Sequence, residues 1–241
     1  MGNLESPERR CPVIFLLHFW HNFLHMRVKT SGLLLVALFS AAVVAESPHG
    51  LATVSFSLDF PGANPGHYEI IVGEDGRGSY SSNGQLNKDS DPADPAPLPF
   101  TLSDKVRQQV FDLAQRAHYF KGKVDSGNKK IANTGVKVLT YKSEGENSQA
   151  TYNYSQVAPV QQLTAIFESL STTLEFGRRL NYFRKYQKLA LDEDLKRMEE
   201  MQKEDNLGDI QAIAPILNGI ADDTSVMNVS RARALRLLAG K

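Results

Sequence analysis

Ala52, Val54, Phe56, Leu58 and Phe60 alternate with Thr53, Ser55, Ser57 and Asp59. A period of two predicts a strand with one buried face. Residues 61–66, P-G-A-N-P-G, are a turn by composition, and Tyr68, Ile70 and Val72 then line one strand face. Asp75-Gly76 is a hairpin signal, in which both central residues are expected at positive φ, and 77–82 is the return strand. The period then changes. Val106, Val110, Leu113, Ala117 and Phe120 recur at spacings of three and four, the stripe of an amphipathic helix. Ser103 can cap it by accepting from a free first-turn amide, with Thr101 and Asp104 a rival cap, and Gly122 is a stop.

The same order repeats. Val136 and Val138 share a strand face, 143–148 is a polar turn, and Ala150, Tyr152 and Tyr154 alternate with polar residues. Pro159 opens a second helix, with Leu163, Ile166, Phe167, Leu170 and Leu174 facing inward. The prediction is an α+β fold: an antiparallel sheet of four to five strands covered by two helices, followed by a C-terminal helical arm. The α+β domain is placed at 46–176 and the arm at 177–241. Gly177 bends or ends the second helix. In the arm, Asp192–Lys196, Glu193–Arg197 and Glu199–Lys203 are expected as i,i+4 pairs. Pro215 is expected to kink a helix over 207–220, and a last helix runs to about Ala239. Residues 87–99 are Pro- and Asp-rich and read as an exposed linker.

Residues 1–45 change the expected destination. From Met26 the chain reads as a secretory signal peptide: Arg27 and Lys29, an apolar run over 32–44, and small residues Val43 and Ala45 before a cut after Ala45. The apolar run is short of the roughly 20 residues a membrane helix needs. The expected location is exported, periplasmic or extracellular; an uncleaved anchor is the alternative. A second apolar run at 11–24 is read as lying upstream of the true start at Met26, with a membrane hairpin of both runs as the alternative.

Composition excludes several classes. The chain has 27 basic and 27 acidic residues, which gives no support for a strongly basic nucleic-acid binder, and its single cysteine rules out a zinc ribbon, an iron–sulfur site and a disulfide scaffold. After cleavage, 196 cysteine-free residues remain, with 23 basic and 25 acidic side chains. Their fold must rest on core packing.

Candidate chemistry is sparse. G-E-D-G-R-G at 73–78 has the wrong spacing for a nucleotide loop, and the hairpin turn accounts for it. Asp89, Asp91 and Asp94 lack the glutamate that an EF-hand requires, so they read as a soluble acidic linker. His118 is assigned to a helix end and its dipole. No catalytic residue, metal ligand or cofactor is assigned. One charge feature stands out, R-R-L-N-Y-F-R-K-Y-Q-K at 178–188. Arg178, Arg179, Tyr182, Arg184, Lys185 and Lys188 are the candidate contact residues for a protein partner or an anionic surface. The competing reading is a solvated helix that pairs these charges locally or with the last helix.

The runs H-Y-E-I-I-V-G-E-D-G-R-G-S-Y, T-L-S-D-K-V-R-Q-Q-V-F-D-L-A-Q-R-A-H-Y-F, G-V-K-V-L-T-Y and A-T-Y-N-Y-S resemble an uncharacterised group of small exported bacterial domains. The resemblance spans roughly 52–175 and leaves the arm unmatched. Many members of that group carry a Cys-rich segment before the second strand; here 61–66 has no cysteine. The resemblance therefore implies fold and export, with no redox or metal role. The expected function is an exported, non-enzymatic binding or interaction module. Its contact surface would be the arm or the sheet face carrying Thr151, Asn153 and Ser155, and its partner an envelope component rather than nucleic acid. The alternatives are a hydrolase or transferase with a dispersed site, and a protein held at a membrane surface.

Overall fold

The computed structural model describes residues 51–87, 96–128 and 130–240. The signal-peptide reading and the acidic triplet Asp89, Asp91 and Asp94 fall outside the described residues.

Six antiparallel strands form one sheet: β1 (Thr53–Asp59), β2 (His67–Gly73), β3 (Arg77–Ser82), β4 (Leu98–Thr101), β5 (Val136–Ser143) and β6 (Glu146–Tyr152). Their spatial order is β4-β3-β2-β1-β5-β6, so the first strand is central and pairs with both β2 and β5. Register keeps the apolar rows aligned. Val54 lies opposite Val72 and Tyr141, and Phe56 opposite Ile70 and Leu139. A one-residue slip would turn each row to the wrong face.

The sheet has one strand more than the upper expected count. Leu98–Thr101, whose first two residues were read as the end of the linker, pairs with β3. Pro99 fits there because β4 is an edge strand, where a missing amide hydrogen costs no ladder bond on the open side. In the β2–β3 turn only Gly76 takes a left-handed φ, of 82°, while the Asp75 carboxylate accepts from the Arg77 amide at 3.0 Å. The β5 face also differs from expectation. Val136 is 51 % exposed, and Lys137 and Leu139 point into the core.

Helix α1 (Asp104–Arg116) is capped by Ser103, whose Oγ accepts from the Val106 amide. His118 stands directly after the C-cap of α1, Ala117, at the helix end where it was expected. His118, Tyr119 and Phe120 take φ of 50°, 52° and 67°, a left-handed turn that puts Phe120 in the core and Tyr119 4.4 Å from the Tyr141 ring centroid.

The second helix, α2 (Ala158–Tyr186), is 29 residues long and runs straight through Gly177. The boundary expected at 176/177 therefore lies inside a helix. From Leu170 to Leu180 most of its circumference is buried. One side meets the sheet, and the other meets the arm: α3 (Leu191–Lys203), α4 (Ala214–Asp222) and α5 (Asn228–Leu238). A helix apolar nearly all round must have packing on both sides. Two glycines permit the approach. A Cβ at Gly177 would lie 2.6 Å from Ile213 Cγ2, and one at Gly208 would lie 2.6 Å from the Leu170 backbone. Pro215 sits in the first turn of α4, where its missing amide hydrogen is harmless, so it starts a helix rather than kinking one.

The arm acids do not pair along their own helix as expected. Asp192 and Glu199 reach across to α5: Arg233 Nε lies 2.9 Å from Asp192 Oδ1, Arg236 Nε lies 2.8 Å from Glu199 Oε1, and Arg233 also bonds Glu199. Among the described residues, no helix is long and apolar enough to cross a membrane.

Candidate functional site

The six candidate residues on 178–188 point in several directions. Arg178 is 7 % exposed and faces the sheet. Its Nη1 donates to Glu175 Oε1 at 3.0 Å, to Ser82 Oγ at 2.7 Å and to the Gly84 carbonyl at 3.2 Å. Tyr80 also donates to Glu175 Oε1, at 2.8 Å, and Ser82 bonds the same carboxylate. This buried cluster joins α2 to β3. Arg179 pairs with Asp194 at 2.8 Å and stacks on Phe176, 4.4 Å from the ring centroid. Arg184 and Lys188 both turn to Asp223, at 3.5 and 3.4 Å. Tyr182 accepts from the Asn87 side chain at 3.0 Å. Lys185 is exposed, its ammonium 4.9 Å from the Tyr186 ring centroid. Four of the five cations are thus bound to acids of the protein itself, Glu175, Asp194 and Asp223, none of them on the last helix, and no single basic face results.

A different place collects polar groups. A cleft of about 340 Å³ opens where the first residues of β5, the last of β6 and the first half of α2 meet. Lys137 enters it from β5, Tyr152 from β6, Asn153, Tyr154 and Ser155 from the link to α2, and Gln161, Thr164 and Glu168 from successive turns of α2. Those helix positions are three and four apart, so they form one stripe.

Most of these groups already satisfy one another. Lys137 Nζ donates to Thr134 Oγ1 at 2.9 Å, the Thr134 carbonyl at 3.1 Å and the Asn153 carbonyl at 3.3 Å. An ammonium has three protons, and three acceptors use them. Tyr152 and Thr164 share a hydrogen bond of 2.6 Å. Gln161 Nε2 donates to the Tyr154 hydroxyl and the Ser155 carbonyl, both at 2.9 Å. Glu168 differs. Its side chain is 47 % exposed, and its nearest cation is Lys137, with 4.0 Å between Oε1 and Nζ.

Burial acts on Lys137 and Glu168 in opposite directions. It lowers the Lys137 ammonium below its ordinary value against the pull of Glu168, and it raises the Glu168 carboxyl against the pull of Lys137. Behind the cleft it pushes the Tyr68 phenol up to about 12, opposed by a Ser171 hydrogen bond and assisted by the Glu168 charge. Burial likewise raises the Tyr152 phenol.

Of the sheet face expected to make contact, Thr151 is exposed, but Ser155 is buried, donating to the Val124 carbonyl at 2.7 Å and accepting from the Val157 amide. Asn153 is committed to the 132–134 loop and the Asp125 carboxylate through its side chain and backbone. Sequence reasoning passed over Lys137 and Glu168. A faint signal existed: Lys137 interrupts V-K-V-L, and only one parity of that run can face inward. No group of three or more metal-ligating side chains occurs among the described residues.

No family profile, curated protein or solved structure matches the chain.

Proposed function

We propose that the protein is an exported, non-enzymatic binding module that holds a small, uncharged, hydrogen-bonding ligand in the cleft at Glu168. The observation that carries this reading is the half-exposed Glu168 carboxylate at the mouth of a cleft whose other polar groups are mutually bonded. Such a site is preorganised, so little side-chain ordering is left for the ligand to bear. Lys137 and Glu168 offset one another in charge, which suits a neutral molecule carrying hydroxyl or amide donors. The Tyr154 ring, 40 % exposed, adds an apolar surface. Catalysis by Lys137 as a nucleophile would need a free amine, and its three acceptors hold it instead. Export rests on the n-region, apolar run and small residues before Glu46.

Two measurements test the proposal. N-terminal sequencing of the native protein should start at Glu46; a start at Met1 in a cytosolic fraction refutes export. Amide spectra recorded against neutral polyols, sugars and amides should move at Tyr154, Gln161 and Glu168, and Glu168→Ala should abolish the movement. Shifts that survive Glu168→Ala, or that map elsewhere, refute the cleft.

A further inference from the structure

We infer that a second cleft, beside Phe176, binds an oxyanion: the phosphate or carboxylate group of a small ligand. It is separate from the Glu168 cleft and independent of that reading. The two lie along one stripe of α2, since Thr172 lines the second and stands four residues after Glu168.

The cleft holds about 290 Å³ and is lined by Asn64, Gln85, Thr172, Phe176, Arg179 and Arg197, together with Glu175. Two guanidiniums share the buried Phe176 ring, with Arg179 Cζ 4.4 Å and Arg197 Cζ 5.9 Å from its centroid. Attraction to the ring face holds both cations in place. It also brings two like charges to one side chain, an arrangement that an anion between them would relieve.

The acids at hand are already engaged. Glu175 is buried and bound by Arg178, Tyr80 and Ser82. Asp194 takes the Nε edge of Arg179 at 2.8 Å, leaving the other donors of that guanidinium. Glu193, one turn before Arg197, makes no ion pair with it, and among the described residues Arg197 has no acidic partner. Counting Arg178, Arg179 and Arg197 against Glu175 and Asp194, the site carries an excess of one positive charge. Planar guanidinium forks match the oxygens of phosphate and carboxylate. The amides of Asn64 and Gln85 stand nearby as neutral donors.

The test follows side-chain Nε–Hε resonances of the purified protein titrated separately with inorganic phosphate and with acetate. Saturable shifts at Arg179 and Arg197 with either anion are expected, and the anion that acts names the source of the charge. Arg197→Ala should weaken binding about tenfold, the scale of a lost charge-assisted hydrogen bond. Arg197→Lys should fall between, because it keeps the charge and loses the fork. Added sodium chloride should weaken binding in the wild type. Arg197 is exposed, so both variants should keep the wild-type unfolding transition. No saturable shift with either anion, or equal affinity in wild type and Arg197→Ala, overturns the inference. Neither outcome touches the Glu168 cleft, whose probes are uncharged.

Discussion

Removing the Glu175 carboxylate should be among the most damaging single changes in this protein. That group is buried and receives hydrogen bonds from Tyr80 at 2.8 Å, from Ser82, and from Arg178 at 3.0 and 3.2 Å. Glu175→Ala leaves the Arg178 guanidinium inside without its counter-charge. Breaking a buried pair from one side costs about 3–5 kcal/mol. That is a large part of the roughly 5–15 kcal/mol that holds a domain together. At roughly 2–4 °C per kcal/mol for a chain of this size, the midpoint should fall by about 6–20 °C. Arg178→Met should cost a similar amount, since it strands the carboxylate. The double variant Glu175→Leu/Arg178→Met removes both charges and leaves the Tyr80 and Ser82 hydroxyls and the Gly84 carbonyl short of a partner, at about 1–3 kcal/mol each, losses that one or other single variant also carries beside its stranded charge. It should therefore be more stable than either single variant. Urea unfolding of the four proteins gives the coupling directly. Single variants that lose less than about 1 kcal/mol, or a double variant that loses the sum of both, would refute the argument that desolvated charge governs this cluster.

Three further outcomes follow from local geometry. His118→Gly should stabilise the protein by about 0.5–1 kcal/mol, because an exposed side chain sits at φ 50° where glycine is at ease; a net loss in thermal unfolding would contradict this. Gly177→Ala should destabilise by about 1–3 kcal/mol although alanine is the better helix former, since the new Cβ meets buried Ile213 at 2.6 Å; a gain near 1 kcal/mol would mean that helix propensity outweighs packing here. Asp223 is held down to about 2 from 3.8 by the Ser225 hydroxyl and amide, with Lys188 adding to them. A depressed acid contributes stability above its unfolded value and loses it as pH falls through the folded one. The stability gap between wild type and Asp223→Asn should therefore close between pH 3.8 and about 2, and a gap that stays constant in acid titration would count against it.

Legibility varied with how local the governing physics is. The strand from Thr53, both hairpins and the Ser103 cap are set by neighbours within a few residues, and all appear in the structure. The inward face of β5 was misleading because Val136 and Val138 are the obvious apolar pair, whereas Lys137 is buried by oxygens from residues 134 and 153. Leu98 and Pro99 looked like the end of the linker because a proline disqualifies a central strand but not an edge. The cations of 178–188 looked available because Asp194 and Asp223, their partners, are distant in sequence and brought close by the turns of the arm. The Glu168 cleft was hidden for the same reason, being assembled from three separated segments, 134–137, 152–155 and 161–168.

The long helix that passes through Gly177 has a consequence for how this molecule could be divided. It works as a shared beam, with the sheet hung on one side and the arm on the other. Sawing it at the apparent border between the two would leave each half with an apolar flank in water. Fragments ending there should clump rather than fold, and pieces of the two kinds should rescue each other only when mixed.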